Sequence, residues 1–144
     1  MNVKVLKLRE GARLPRYGSA EAAGADLHAC LDAPVAIPPG GSAFVGTGLA
    51  MELPPGHAGF VYARSGAACR QGLAPANKVG VIDSDYRGEI TVCLHNHSPE
   101  TRTVSDGDRI AQLIVAPVLR ATFSEAQSLG ETERGTGGFG STGK

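Results

Sequence analysis

The sequence predicts an all-β domain, and three observations predict it. The 144 residues include 20 glycines and 9 prolines, about a fifth of the chain against roughly an eighth on average. That density of breakers excludes a helix bundle or coiled coil. Alternating apolar segments recur at roughly ten-residue spacing between turn signals, the rhythm of a sandwich, barrel or jelly roll. Helical periodicity is nearly absent. The length suits one domain, and a hydrophobic content of 42% supplies a core.

Residues 3–8 (VKVLKL) read as a first strand. Residues 42–53 (SAFVGTGLAMEL) hold two more, with Leu49, Met51 and Leu53 alternating. Residues 57–64 (HAGFVYAR) form another. Residues 88–95 (GEITVCLH) put Ile90, Val92 and Leu94 on one face. Residues 109–119 (RIAQLIVAPVL) are apolar on both faces, which predicts a strand buried on both sides and ended by Pro117. Turn signals lie between them at Pro38–Gly41, Pro54–Gly56, Ser98-Pro99 and Ser105–Gly107. One short helical turn is expected after Ser65, closed by Gly72.

The end of the chain differs. Residues 124–133 are polar, and residues 134–144 (RGTGGFGSTGK) hold five of the twenty glycines. Residues 1–123 are therefore expected to form the β domain and 124–144 a flexible arm. Yet this arm carries Arg134, Phe139, Ser141 and Thr142, an odd set for a mere tail.

Fourteen basic residues balance fourteen acidic ones. Neither a basic excess nor a basic run marks a nucleic-acid polymer as partner. Lys4, Lys7, Arg9, Arg13 and Arg16 are interrupted by Glu10 and read as a solvated face. No apolar stretch approaches the roughly 18–20 residues that span a bilayer. The first ten residues lack the apolar block of a signal peptide, so the expected location is the cytosol. Three cysteines, Cys30, Cys69 and Cys93, are odd in number and lack CxxC spacing, which fits reduced thiols. Cys93, His95 and His97 alternate and could share a strand face as zinc ligands. A turn from Asn96 to Pro99 would break that face, and with no fourth ligand in view the turn is the favoured reading.

Five segments could carry chemistry. GTGGFG at 135–140 satisfies G-x-G-x-x-G, but the sequence stops too soon for a Rossmann unit. Its glycines still free backbone N–H groups for phosphate, beside Arg134, Ser141 and Thr142. Arg64-Ser65-Gly66 follows a strand and makes a plausible anion site. Residues 80–90 (GVIDSDYRGEI) place three acids and a tyrosine at a hairpin-like bend, where a carboxylate can serve as general base. Asp26 follows Gly24-Ala25, and Gln112 is an amide inside an apolar strand that needs partners. Each segment alone has an equally ordinary reading: a tail, a strand-end turn, a charged hairpin tip or a satisfied core hydrogen bond.

In order, AGADLHA, ARSGAA, GVIDSDYRGEI, GDRIAQLIV and RGTGGFGSTG resemble the five motifs of the trimeric dUTPases, the deoxyuridine 5′-triphosphate nucleotidohydrolases. The resemblance runs from Gly24 to Thr142, and the third and fifth motifs are long and specific. Ala25 and Ala63 depart from the usual flanking residues. The resemblance implies a jelly-roll-like distorted β-barrel and a homotrimer with shared active sites. The first, second and fourth motifs then come from one chain, the third from a second chain, and the fifth from a third chain's arm closing as a lid.

It further implies hydrolysis of dUTP to dUMP and pyrophosphate, lowering dUTP and supplying dUMP for thymidylate synthesis. Asp83 is then the base for water attacking the α-phosphorus in line, and also holds the 3′-hydroxyl. Gln112 positions the α-phosphate and water. Arg64, Ser65 and Gly66 bind inner phosphates; Arg134, Gly140, Ser141 and Thr142 bind the γ-phosphate end. Asn77, Val81, Ile82 and Thr91 contact pyrimidine and sugar. Tyr86 packs on the sugar and excludes a 2′-hydroxyl, and Phe139 stacks on the base. Mg²⁺ is the implied cofactor, held mostly by phosphates and water, with Asp26 touching it through water. Two competing readings remain at this point: a dCTP deaminase-like relative and a non-catalytic dUTP-sensing module.

Overall fold

The computed structural model describes residues 1–139. In chain order its elements are β1 (Lys4–Lys7), β2 (Arg16–Tyr17), β3 (Ala25–His28), β4 (Val35–Ile37), β5 (Ser42–Gly46), β6 (Leu49–Glu52), β7 (His57–Tyr62), α1 (Ser65–Gln71), β8 (Leu73–Pro75), β9 (Gly80–Ile82), β10 (Thr91–Asn96), β11 (Arg102–Val104) and β12 (Arg109–Pro117). The ladders are antiparallel. They form a five-stranded sheet in the order β2-β3-β12-β7-β9, a three-stranded sheet β5-β10-β8, and the pairs β1-β6 and β4-β11. The fold is thus mostly β, as predicted, although hydrogen bonding does not close a barrel around the chain.

One apolar core joins the sheets. Leu27, Ile37, Val45, Leu49, Leu53 and Leu94 are all at most 2% exposed. Ile90, Val92 and Leu94 point inward together, as their alternation requires. Leu49, Met51 and Leu53 do likewise, although Ala50 between them is also buried. Residues 109–119 are less buried than their apolar run predicts. Burial on both faces is confined to Ile110 and Ala111, whereas Ile114 and Val115 are half-buried. β12 is paired on both edges, by β3 and β7, and its burial thins from Ile114 to the exposed Pro117.

α1 is the expected short helix, and no residue in it is buried. Gly72 ends it at φ +70°, donating its N–H to the Ala67 carbonyl. A Cβ at Gly72 would also lie 2.8 Å from the Ser98 nitrogen, so glycine is required sterically as well. The turn after β10 is knotted by the buried amide of Asn96. Its Nδ2 donates to the carbonyls of Ile37 (2.8 Å) and Glu100 (2.7 Å). Its Oδ1 accepts from the Ser98 N–H (2.9 Å) and hydroxyl (2.8 Å). Every polar group of that amide is used. The knot also ends the face shared by Cys93, His95 and His97. The two imidazoles meet edge to face at 4.4 Å, and no group of three metal-ligating side chains occurs among the described residues.

Past Pro117 the described chain has no helix or strand. Val118 still donates its N–H to the Gly56 carbonyl (2.8 Å). Thereafter Leu119, Phe123 and Leu129 stand at least 90% exposed. No helix among the described residues is long and apolar enough to cross a membrane.

Candidate active site

Two surfaces gather the candidate residues. The first is a cavity of about 310 Å³ beneath the bend that joins β9 to β10. Asn77, Val81, Ile82, Asp83, Tyr86 and Thr91 all line it. β9 is an edge strand: it pairs with β7 alone, with Gly80 opposite Val61 and Ile82 opposite Gly59. Among the described residues its other edge has no strand partner, and an edge strand offers backbone donors and acceptors to whatever lies beside it. A Cβ at Gly80 would come within 3.2 Å of the Asn77 amide, so the glycine lets that amide approach the strand.

The bend is braced from inside. The Tyr86 N–H donates to the Asp83 carbonyl (3.2 Å). Arg87 Nη1 donates to the carbonyls of Ser84 (2.7 Å) and Tyr86 (3.0 Å). The Tyr86 hydroxyl donates to the Glu89 carbonyl (3.0 Å), and its ring lies over Gly88, where a side chain would collide with it. Asp83 is left exposed at the rim.

The second surface is charged. Arg64 Nε donates to Asp26 Oδ1 (2.7 Å), and Arg109 Nη1 approaches Asp26 Oδ2 (3.4 Å). Asp26 lies on β3 opposite Gln112 of β12. The Gln112 amide donates to the Ala63 carbonyl (2.8 Å). A Cβ at Gly24 would sit 2.7 Å from Gln112 Oε1, so that glycine makes room for the amide. Gln112 thus ties together the segments carrying Asp26, Arg64 and Arg109. The unusual Ala63 takes part through its carbonyl, so its side chain is not what the contact needs. Beside this cluster lies a cavity of about 400 Å³ bounded by Arg64, Gly66, Arg70 and Arg109.

His28 follows Asp26 on β3, and its Nδ1 is buried without a hydrogen-bond partner. Burial, then the positive charge of Arg13, pushes its pKa below the ordinary 6.5, with Arg109 and Arg64 adding and Asp26 opposing. The imidazole is therefore neutral at neutral pH, leaving Asp26 as the counter-charge between Arg64 and Arg109.

The residues lining the cavity and those of the charged cluster do not overlap. Asp83 belongs to one, Gln112 to the other. Arg134 donates from Nε to the Gly137 carbonyl (2.8 Å) within its own turn, and Phe139 is fully exposed. Gly140, Ser141 and Thr142 lie outside the described residues. Sequence reasoning missed Arg109 and Glu89. Arg109 was legible as the one cation of GDRIAQ, opposite in sign to the aspartate of AGAD. Glu89 was visible only as one of three acids in GVIDSDYRGEI, with nothing local to show its contact with the Gly48 N–H.

The dUTPase family model matches residues 10–143. The chain belongs to the dUTPase family. Curated relatives carry the family's name, deoxyuridine 5′-triphosphate nucleotidohydrolase. One from Desulfitobacterium hafniense is 53% identical, covering 99% of this chain and 97% of that protein. One from Anaplasma marginale is 47% identical, covering 99% of each. A dUTPase variant of Staphylococcus bacteriophage 80alpha, solved with dUpNHpp, shares the fold with a TM-score of 0.86 at 24% identity, over 99% of both chains. A dUTPase variant of phage phi11 of S. aureus, described with a structural Mg(II) ion, has a TM-score of 0.82 at 22% identity, over 91% of this chain and all of that one.

Among the described residues no group of three metal-ligating side chains forms a cage for an Mg²⁺ ion. Asp26 is bonded into the charged cluster, its two oxygens engaging Arg64 and Arg109. That donor set fits an ion carried mainly by phosphates and water.

Proposed function

We propose that the chain hydrolyses dUTP to dUMP and pyrophosphate. The observation that carries this reading is the cavity that collects Asn77, Val81, Ile82, Asp83, Tyr86 and Thr91 around one edge strand. The free edge of β9 reads the base through backbone groups. Cytosine inverts donor and acceptor at two ring positions, leaving unpaired groups at about 1–3 kcal/mol each. A thymine methyl costs roughly 1–3 kcal/mol by overpacking. The Tyr86 ring packs on the sugar and leaves no room for a 2′-hydroxyl. Asp83 holds the 3′-hydroxyl and accepts a proton from the water attacking the α-phosphorus, which needs only an ionised carboxylate within hydrogen-bond reach.

Gln112 orients the α-phosphate and that water, its amide already aimed by Ala63. Arg64 keeps its Nη atoms free of the Asp26 contact and, with Ser65 and Gly66, holds the inner phosphates. Asp26 would hold Mg²⁺ through water, and the ion would offset charge on the triphosphate. Because Asp83 and Gln112 lie on different surfaces of one chain, the complete site is shared within a homotrimer. There Arg134, Phe139, Gly140, Ser141 and Thr142 of an arm close over the γ-phosphate and base. Residues 1–123 form the folded unit and 124–144 the arm. Three unpaired cysteines suit the cytosol, where the nucleotide pool lies.

A pyrophosphate-release assay across dUTP, dTTP, dCTP and UTP, with and without Mg²⁺, tests the reading. Release from dUTP alone, dependent on the ion, is expected. Ammonia from dCTP would instead mark a deaminase, and tight dUTP binding without turnover a sensing module.

A further inference from the structure

Ile90 is firmly tied to the sheets: its carbonyl accepts from the Thr47 N–H (3.1 Å) and hydroxyl (2.7 Å), and its N–H donates to the Leu49 carbonyl (2.7 Å). On the other side, β9 ends at Ile82. Between these anchors, Asp83 to Gly88 hydrogen-bond within the bend and to Glu89. The Glu89 side chain is different. Its Oε1 accepts the Gly48 N–H (2.8 Å), 41 residues away in the chain. Its Oε2 lies 4.0 Å from Arg9 Nη2, while Arg9 Nη1 donates to the Cys30 carbonyl (3.1 Å). The carboxylate fits because Gly46 has no side chain: a Cβ there would stand 2.5 Å from Oε1 and 3.2 Å from Cδ.

We propose that Glu89 is a positioning residue for sugar selection: its carboxylate clasps the β5–β6 loop, and its carbonyl thereby fixes the Tyr86 hydroxyl and ring over the nucleoside cavity. This rests on the assignment of Tyr86 to the sugar made above. The clasp works at a distance from the substrate. It sets where the Tyr86 ring stands, and so how strictly a 2′-hydroxyl is refused. An acceptor at the Glu89 position is what the Gly48 N–H needs; the charge adds only a long contact with a half-exposed Arg9, and such pairs contribute little.

The test uses the full chain with Glu89→Ala, Glu89→Gln and Gly46→Ala. The last leaves Glu89 in place but fills the slot its carboxylate occupies. The ratio of kcat/KM for dUTP over UTP should fall about tenfold in Glu89→Ala and Gly46→Ala, as for loss of one well-placed hydrogen bond. Glu89→Gln should keep most of the ratio. Tyr86 ring signals in the NMR spectrum of the ligand-free protein should move in the first and third variants and stay in the second. Thermal melts confirm folding; should Glu89→Ala not fold, the other two decide. Unmoved Tyr86 signals, or an unchanged ratio in Gly46→Ala, overturn the clasp. A wild-type chain that releases no pyrophosphate from dUTP overturns the activity instead, while the Tyr86 signals still report on the clasp.

Discussion

The cavity under the β9–β10 bend and the charged cluster differ in what holds their side chains. The cavity is framed by strand ladders, glycines and one internally bonded bend, so its shape is set before any ligand arrives. The cluster is framed by opposite charges, with Arg64 and Arg109 sharing the carboxylate of Asp26. A base is recognised by fixed groups at fixed spacing, which a sheet edge supplies. A triphosphate is recognised by charge, and unpartnered arginines packed together in a folded chain repel one another. Asp26 offsets that repulsion, and substrate phosphates can take over part of its role.

The largest effect should come from silencing the cavity side while leaving its shape. Asp83→Asn should lower pyrophosphate release by about 10²–10⁴-fold and leave dUTP binding measurable by calorimetry. Near-normal turnover would remove Asp83 from the base role. Deleting residues 134–144 should cost about 10²–10³-fold, as for loss of preorganised donors on developing charge, with the far-UV spectrum and assembly size unchanged. Full activity after truncation would refute the lid. On the charged side, Asp26→Ala should lower stability by about 1.5–3 kcal/mol, the range for hydrogen bonds to charged groups, read from the urea midpoint. An unchanged midpoint would show that solvent already screens the pair.

The smallest effect concerns His28. Its folded-state pKa lies below the ordinary 6.5 because of burial and then Arg13. The unfolded chain therefore takes up the proton first as pH falls. Stability is fully present above 6.5 and is lost as the pH drops from there through the folded-state value. Urea midpoints between about pH 7.5 and 5.5 should decline, and His28→Gln should flatten that decline. An identical slope in the variant would move the effect to another group.

The longer strands were legible because alternation repeats enough times to register. Ile90, Val92 and Leu94 announce β10, and Leu49, Met51 and Leu53 announce β6. β2 and β9 have two and three residues, too few to show a period. β3 hid inside AGADLHA, where Asp26 drew attention to chemistry rather than to pleating. Val81, Ile82, Asp83 and Tyr86 were singled out because GVIDSDYRGEI resembles a long family motif, Asn77 and Thr91 because the same resemblance implies them, and all six line one cavity. Arg109 and Glu89 were not found because their partners, Asp26 and Gly48, lie 83 and 41 residues away. Such pairings are products of strand order and leave no local trace.

The chain beyond Pro117 has a further consequence. On the proposed division, residues 124–133 link the folded unit to the motif-bearing end and could reach roughly 35 Å when extended, whereas a folded unit of about 120 residues has a radius of gyration near 14 Å. An arm with that reach can serve sites beyond its own chain. Mixed assemblies should then show intragenic complementation: a chain without its arm and a chain with Asp83→Asn, each strongly impaired alone, together rebuild some whole sites.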